Sequence, residues 1–228
     1  MNLSEFDLHP IILSLQLASL TVVILLILGL PLAWWLTFSR MRYKVVIESL
    51  VALPLVLPPT VLGFYLLIML GSNGWLGGLW QQWSGHSLVF SFEGLLIASC
   101  LYSLPFVVQP LQAAFSGLNL QTVEASWTLG ASHMKTFYRV VLPQIRQGLL
   151  SAVVLGFAHT IGEFGVVLMV GGNISGETQV ISTAIYNHVE ALEYEAAHLY
   201  SFILLLFSFL VLSVVYSYNR RWHLELRR

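Results

Sequence analysis

All ten Lys and Arg residues of this 228-residue chain fall in three short segments, and long apolar runs separate those segments. Arg40, Arg42 and Lys44 form the first, Lys135, Arg139 and Arg146 the second, and Arg220, Arg221, Arg227 and Arg228 the third. The hydrocarbon core of a bilayer takes about 20 apolar residues of helix to cross. Five runs meet that length, at 11–38, 45–70, 88–115, 144–170 and 196–218. With five crossings the three basic segments share one side of the membrane. The other side has no Lys or Arg and carries Glu5, Asp7, Glu177, Glu190, Glu193 and Glu195. The positive-inside rule makes the basic side cytoplasmic, with the N-terminus outside and the C-terminus inside. One crossing more or fewer would scatter the charges over both sides, so span count and orientation are constrained together.

The fold class that follows is an all-α membrane protein, a polytopic helical bundle with 1–228 as a single transmembrane domain. Only 9% of the residues are charged and 57% are hydrophobic, whereas a soluble domain is about 25% charged. No basic patch large enough for nucleic acid is present, so the expected surroundings are membrane lipid and protein. The lone Cys100 lies inside an apolar run, which excludes an intrachain disulfide and argues against a metal cluster; no cofactor is expected. The opening "MNLSEFDLHP" has two acids and no Lys or Arg, unlike the n-region of a cleaved signal peptide, so the first span is expected to be retained.

The outer connections have their own character. "GSNGWLGGLWQQWSGH" brings Trp75, Trp80 and Trp83 to an interfacial aromatic belt, with glycines suited to tight turns. In 178–191, Val180, Ile181, Ala184, Ile185 and Val189 recur at helical spacing. This segment reads as a short helix or re-entrant piece near the outer surface, and a sixth, partial span stays open.

Between the third and fourth runs lies "VEASWTLGASHMKTFYRVVLP", too polar for the bilayer and too regular for a slack loop. Its first part, 123–129, suits a helix, Gly130 suits a turn or C-cap, and 133–141 suits a second helix ended by Pro143. On residues alone two readings stay open. One is a helix–turn–helix knob aimed at a soluble partner, the other an amphipathic connector lying in the headgroups.

The stretch resembles the EAA motif of ABC-importer permeases: Glu-Ala-Ala, three residues, Gly, nine residues, an aliphatic, one residue, Leu-Pro. Glu124, Ala125, Gly130, Val140, Leu142 and Pro143 stand at those spacings, with Ser126 in place of the third small residue and Val140 in place of the usual Ile. "LPLVLPPTVLGFYLL" and "GEFGVVLMVGGNISGET" resemble the molybdate branch of the oxyanion permeases, whose relatives carry sulfate, thiosulfate or tungstate. The resemblance implies a type I ABC importer permease in a bacterial inner membrane. It implies that 120–143 is a cytoplasmic coupling segment docked on an ATPase. It further implies a homodimer, two ATPase subunits, an extracytoplasmic oxyanion-binding protein and alternating access, with molybdate as cargo and sulfate, thiosulfate or tungstate as alternatives.

Pathway candidates come from the spans. Pro54, Pro58 and Pro59 fall inside the second, and each removes a backbone donor. Carbonyls freed in a membrane must be buried in protein or face water, so the kink either lines the path or serves packing away from it. Glu163, in "HTIGEFGVV", is an acid well inside an apolar run and calls for a partner or a proton. His159 lies four residues earlier, on the same helical face, and Gly162 and Gly165 permit close helix approach. Two roles stay open for Glu163: pore or gate lining at a subunit interface, or satisfying backbone groups freed by the prolines. Apart from Arg146 at the basic end of the fourth run, no cation lies within a span, so an oxyanion would meet hydroxyls, backbone N–H groups and helix N-termini.

Other function classes fit less well. No GxxxxGK[ST] segment is present, so ATP hydrolysis would reside in another chain. An intramembrane protease needs a Ser–His pair in a span. His159 and Ser151 are available for that, but no GxSG-like turn is present in a span. A secondary transporter would show paired repeats and more spans.

Overall fold

The computed structural model describes residues 7–225, with side chains described through Val214. Helix α1 (His9–Phe38) opens the chain, and α2 (Lys44–Ala52) continues through a 3-10 turn at Leu53–Leu55 before α3 (Pro59–Leu70). Helices α4 (Trp75–Ser84), α5 (Phe92–Ser116), α6 (Leu120–Thr128) and α7 (His133–Thr136) follow. A π turn at Phe137–Val141 joins α7 to α8 (Leu142–Gly162); α9 (Gly165–Gly171), α10 (Ile181–Glu190) and α11 (Tyr194–Glu225) complete the described chain. Four helical stretches are long and apolar enough to cross a membrane, and five crossings result if the bent α2–α3 pair counts as one.

Helix α5 is the centre of the bundle, packed between α1 and α8. Leu25 and Leu36 of α1, Val107, Leu111 and Phe115 of α5 and Ile145 of α8 form one buried cluster. The α5–α8 seam is built from small residues. Gly148, Ala152 and Gly156 repeat every fourth residue on α8. A Cβ on Gly148 would lie 2.3 Å from Ala114 Cβ, and one on Gly156 would lie 2.6 Å from Val107 Cγ2. Ala152 between them is fully buried. One turn further, Thr160 and Ser103 hydroxyls meet at 2.9 Å. In lipid, helices associate through close packing and interhelical hydrogen bonds rather than through water exclusion, and small residues on one stripe let the backbones approach.

Two of the apolar runs are broken. The chain turns by 111° between Lys44–Leu55 and Pro59–Leu70. Pro54 is buried in the 3-10 turn, and Pro58 is extended, with Pro59 opening α3. A proline at the first helical position loses no bond that the helix would otherwise make, so the prolines both end one helix and start the next. The 144–170 run, expected as one crossing, is also interrupted. Helix α8 stops at Gly162, Glu163 takes extended backbone angles, and α9 begins at Gly165. The apolar residues on both sides of Glu163 keep the 144–170 run apolar on average, which is why hydropathy alone does not show the break. The Ser182 hydroxyl donates to the Glu163 carbonyl, supplying a partner for an acceptor that the helix no longer uses.

At the acidic end, 178–191 holds α10. Its ten residues reach about 15 Å at 1.5 Å per residue, half a hydrocarbon core. Ser14 of α1 accepts from the Ile181 N–H at 2.8 Å. Tyr200 of α11 donates to the Asp7 carbonyl at 2.6 Å. These bonds hold α10 and α11 to the start of α1. The glycines between α3 and α5 do more than turn the chain. Gly77 lies within α4, where a Cβ would lie 2.0 Å from the Leu70 carbonyl oxygen.

Candidate functional site

Two places gather the candidate residues: the hairpin α6–α7 at the basic end and the paired helix breaks in the bundle. The hairpin starts at Asn119, whose side chain accepts from the Thr122 N–H. It is clasped at its base by the Gln144 side-chain oxygen, which accepts from the Asn119 N–H at 3.2 Å. Glu124 and Ala125 lie on the exposed face of α6. Gly130 ends that helix with φ +79°, a left-handed backbone that disfavours any side chain, and open space surrounds its Cα. The Ala131 N–H bonds back to the Ser126 carbonyl.

Ser126 departs from the alanine of the motif, and the structure shows what it does instead. Its hydroxyl donates to the Val123 carbonyl at 2.7 Å and meets the buried Thr136 hydroxyl at 2.8 Å. The pair fastens α6 to α7 across the turn. Thr136 was not singled out from the sequence, because nothing local marks a threonine ten residues away as a partner.

The second helix of the hairpin does not end at Pro143, contrary to expectation. From His133 to Gly162 the chain is one continuous span-length helix. The π turn at Phe137–Val141 resets the hydrogen-bond ladder so that Leu142–Pro143 becomes the first turn of α8, where a missing N–H costs nothing. Such π turns often occur at functional positions. The hairpin is amphipathic the wrong way round for a solvated knob: Leu129 is 87% exposed and Met134 64%. Beside it opens a cleft of about 440 Å³ with Trp34, Phe115, Trp127, Phe137 and Tyr138 on its walls.

The helix breaks meet each other. A Cβ on Gly165 would lie 2.8 Å from Pro59 Cβ, and one on Gly63 would lie 3.0 Å from Met169 Sδ. Successive contacts advance together along both chains, so α3 and α9 run parallel from a shared break. Gly165 thus sits at a close approach of α3 and α9, whereas Gly162 is exposed and a Cβ there would meet nothing of this chain within 4 Å.

Glu163 is 4% exposed. It faces Ser99, but neither its two carboxylate oxygens nor the Ser99 hydroxyl completes a hydrogen bond. It does not satisfy backbone groups freed by the prolines, one of the two roles left open for it. His159 is not its partner either, because the helix ends between them. The His159 Nδ1 lies 2.9 Å from Ser103 Oγ, and its ring stacks on Phe106 with centroids 3.8 Å apart. Ser151 lies eight residues before His159 on the same helix, about 12 Å along the axis, so that pair is not a catalytic one. Ser103 is fully buried in the α5–α8 seam and works as a clasp. Among the described residues, no group of three or more His, Cys, Asp or Glu is placed to hold a metal.

Comparison with known proteins decides the family. The sequence pattern of the binding-protein-dependent transport system inner membrane component matches residues 26–224. The chain belongs to this family.

Among members of this inner membrane component family, the chain is 54% identical over 96% of its length to the molybdenum transport system permease protein ModB of Azotobacter vinelandii, covering 97% of that protein. It is 34% identical to the ModB protein of Escherichia coli K12, over 83% of each chain. It is 37% identical to a probable sulfate transport system permease protein cysT of Zygnema circumcarinatum, over 90% of this chain and 71% of that one. In three dimensions it matches a bacterial ABC transporter that imports the acidic polysaccharide alginate, with TM-score 0.75 and 18% identity, covering 95% of this chain and 80% of the other. An amino acid ABC transporter matches with TM-score 0.61 and 20% identity, over 92% and 91%. The fold is that of a type I ABC importer permease. The chain is a multi-pass inner membrane transport component that works with a binding protein, and is not itself an enzyme.

Proposed function

We propose that this chain is the permease of a molybdate importer. It would act as a homodimer with two ATPase subunits and an extracytoplasmic oxyanion-binding protein. The observation that carries the reading is the exposed α6–α7 hairpin with Glu124, Ala125, Ser126, Gly130, Leu142 and Pro143 in EAA register. Its rigid turn at Gly130 and the bare Leu129 offer an apolar tip that a groove on an ATPase would bury. The segregation of Lys and Arg supports placing this end in the cytoplasm, with the N-terminus outside. Helix α8 runs from the hairpin directly to Gly162, so a pull on the tip is transmitted as a rigid lever to the breaks. Pro54, Pro58, Pro59, Glu163, Gly162 and Gly165 are the pathway residues of this reading, with α3 and α9 moving as a pair when access alternates.

Molybdate is favoured over sulfate because the two ModB proteins match with higher identity or with more even coverage than the sulfate permease. The test is ATPase activity in proteoliposomes holding the chain and its ATPase. Binding protein loaded with molybdate, tungstate or sulfate is supplied outside. Stimulation by the molybdate-loaded form supports the reading. Stimulation by the sulfate-loaded form alone would transfer the chain to the sulfate branch. No association with an ATPase would end the importer reading.

A further inference from the structure

A polar groove at the basic end lies apart from the hairpin and from the helix breaks. It occupies about 350 Å³ between the ends of α1, α2 and α5 and is lined by Thr37, Lys44, Glu48, Gln109, Gln112 and Ser116, with Leu36 and Ala113. Gln112, Ala113 and Ser116 lie three, four and seven residues after Gln109 and make one face of α5 with it. Gln109 lies seven residues before Ser116, about 10 Å deeper along the helix, and it is exposed. An exposed carboxamide at that depth belongs to a water-filled path or a protein contact, since hydrocarbon offers it no partner.

The donors in this groove suit an anion. The Lys44 ammonium is 3.6 Å from the Glu48 carboxylate, an ion pair too long for a hydrogen bond, so its N–H donors remain available. The Gln112 amide donates to the same Glu48 oxygen at 3.4 Å and has a second N–H to give. The Ser116 and Thr37 hydroxyls donate to their own helix carbonyls and offer no proton. Lys44 thus stands as the cation of the groove, with glutamine amides on the facing helix and one carboxylate in competition.

We propose that this groove is a transient exit site for a tetrahedral oxyanion dianion, received by Lys44, Gln109 and Gln112. Glu48 acts as an internal counter-anion that reclaims Lys44 and expels the cargo. This rests on the import reading above, and it names where the cargo leaves. Glu48 competes with a dianion for Lys44, so the paired arrangement makes the site weaker and faster to release than Lys44 alone would be. Lys44 and Glu48 are positions i and i+4 on α2, so exchange needs only side-chain rotation.

The test is equilibrium binding of radiolabelled molybdate to the nucleotide-free permease–ATPase complex without binding protein, with unlabelled sulfate as competitor. Wild-type complex is expected to bind saturably and weakly. Lys44→Met is expected to weaken binding about tenfold, and Glu48→Gln to tighten it about tenfold, a shift of about 1.4 kcal/mol each way. Opposite signs cannot come from loss of folding, because Glu48→Gln gains. The groove assignment is overturned if both variants bind like wild type, if both weaken, or if wild type shows no saturable binding while it still imports. Failure of wild-type uptake with loaded binding protein would instead count against the import reading.

Discussion

Pro59 and Gly165 press two helix breaks together: a methyl group on Gly165 would lie 2.8 Å from the proline Cβ. Two interrupted crossings with no such contact would be two independent weak points. In contact they make one joint, from which α3 and α9 leave in parallel and below which α8 leads to the hairpin.

Filling that contact is expected to damage the joint. Gly165→Val should destabilise the protein by about 1–3 kcal/mol, the usual effect of overpacking, and should lower transport. Gly162→Ala, where the added methyl meets open space, should leave the melting temperature in detergent unchanged. Equal losses from both substitutions would mean the joint is not where the packing places it.

The hairpin turn makes a different demand. Gly130→Ala puts a side chain at φ +79°, at about 1–2 kcal/mol, and is expected to cut ATPase stimulation by loaded binding protein severalfold. Leu129→Asp, on a residue 87% exposed, should leave folding intact but weaken co-purification with the ATPase. Wild-type co-purification of Leu129→Asp would remove the tip from the docking surface.

A third expectation concerns the hydroxyl pair of Ser126 and Thr136. Ser126→Ala leaves the buried Thr136 hydroxyl without that partner, at about 1–3 kcal/mol. Adding Thr136→Val removes the orphan and should recover part of the loss. A double-mutant cycle read by thermal unfolding measures the coupling; additive effects would show that the hydroxyls do not hold the hairpin together.

Glu163 supplies the fourth. Its carboxylate is buried with no completed hydrogen bond, an arrangement that is costly if charged. Glu163→Gln keeps the shape and removes the ionisable group. The melting temperature is expected to stay at or above that of wild type, while any loss of transport would locate a functional need for the acid. A large drop in melting temperature would reveal a partner that the carboxylate must hold.

Much of the architecture is written in one-dimensional patterns. Charge segregation and apolar length suffice for an all-helical membrane bundle, and the spacing from Glu124 to Pro143 suffices for the hairpin with its turn at Gly130. The prolines announce a kink near 54–59, although nothing local sets its angle at 111°. What the chain conceals are its long-range pairings. Glu163 marks its own position as unusual, but one acid in an otherwise apolar run does not announce a helix break, which becomes visible only when Gly165 is found against Pro59. His159 suggested Glu163 by helical spacing, but the helix ends first and the ring turns to Ser103. The stripe Gly148, Ala152, Gly156 was open to reading as a small-residue seam, a signal that did not by itself say which helix it faces.

The most direct measurement is uptake of radiolabelled molybdate into proteoliposomes containing the chain and its ATPase, with ATP inside and molybdate-loaded binding protein outside. The account predicts accumulation that needs all three components and falls severalfold with Gly130→Ala. Accumulation independent of ATP and binding protein, or none at all with a complex that assembles and hydrolyses ATP, would contradict it.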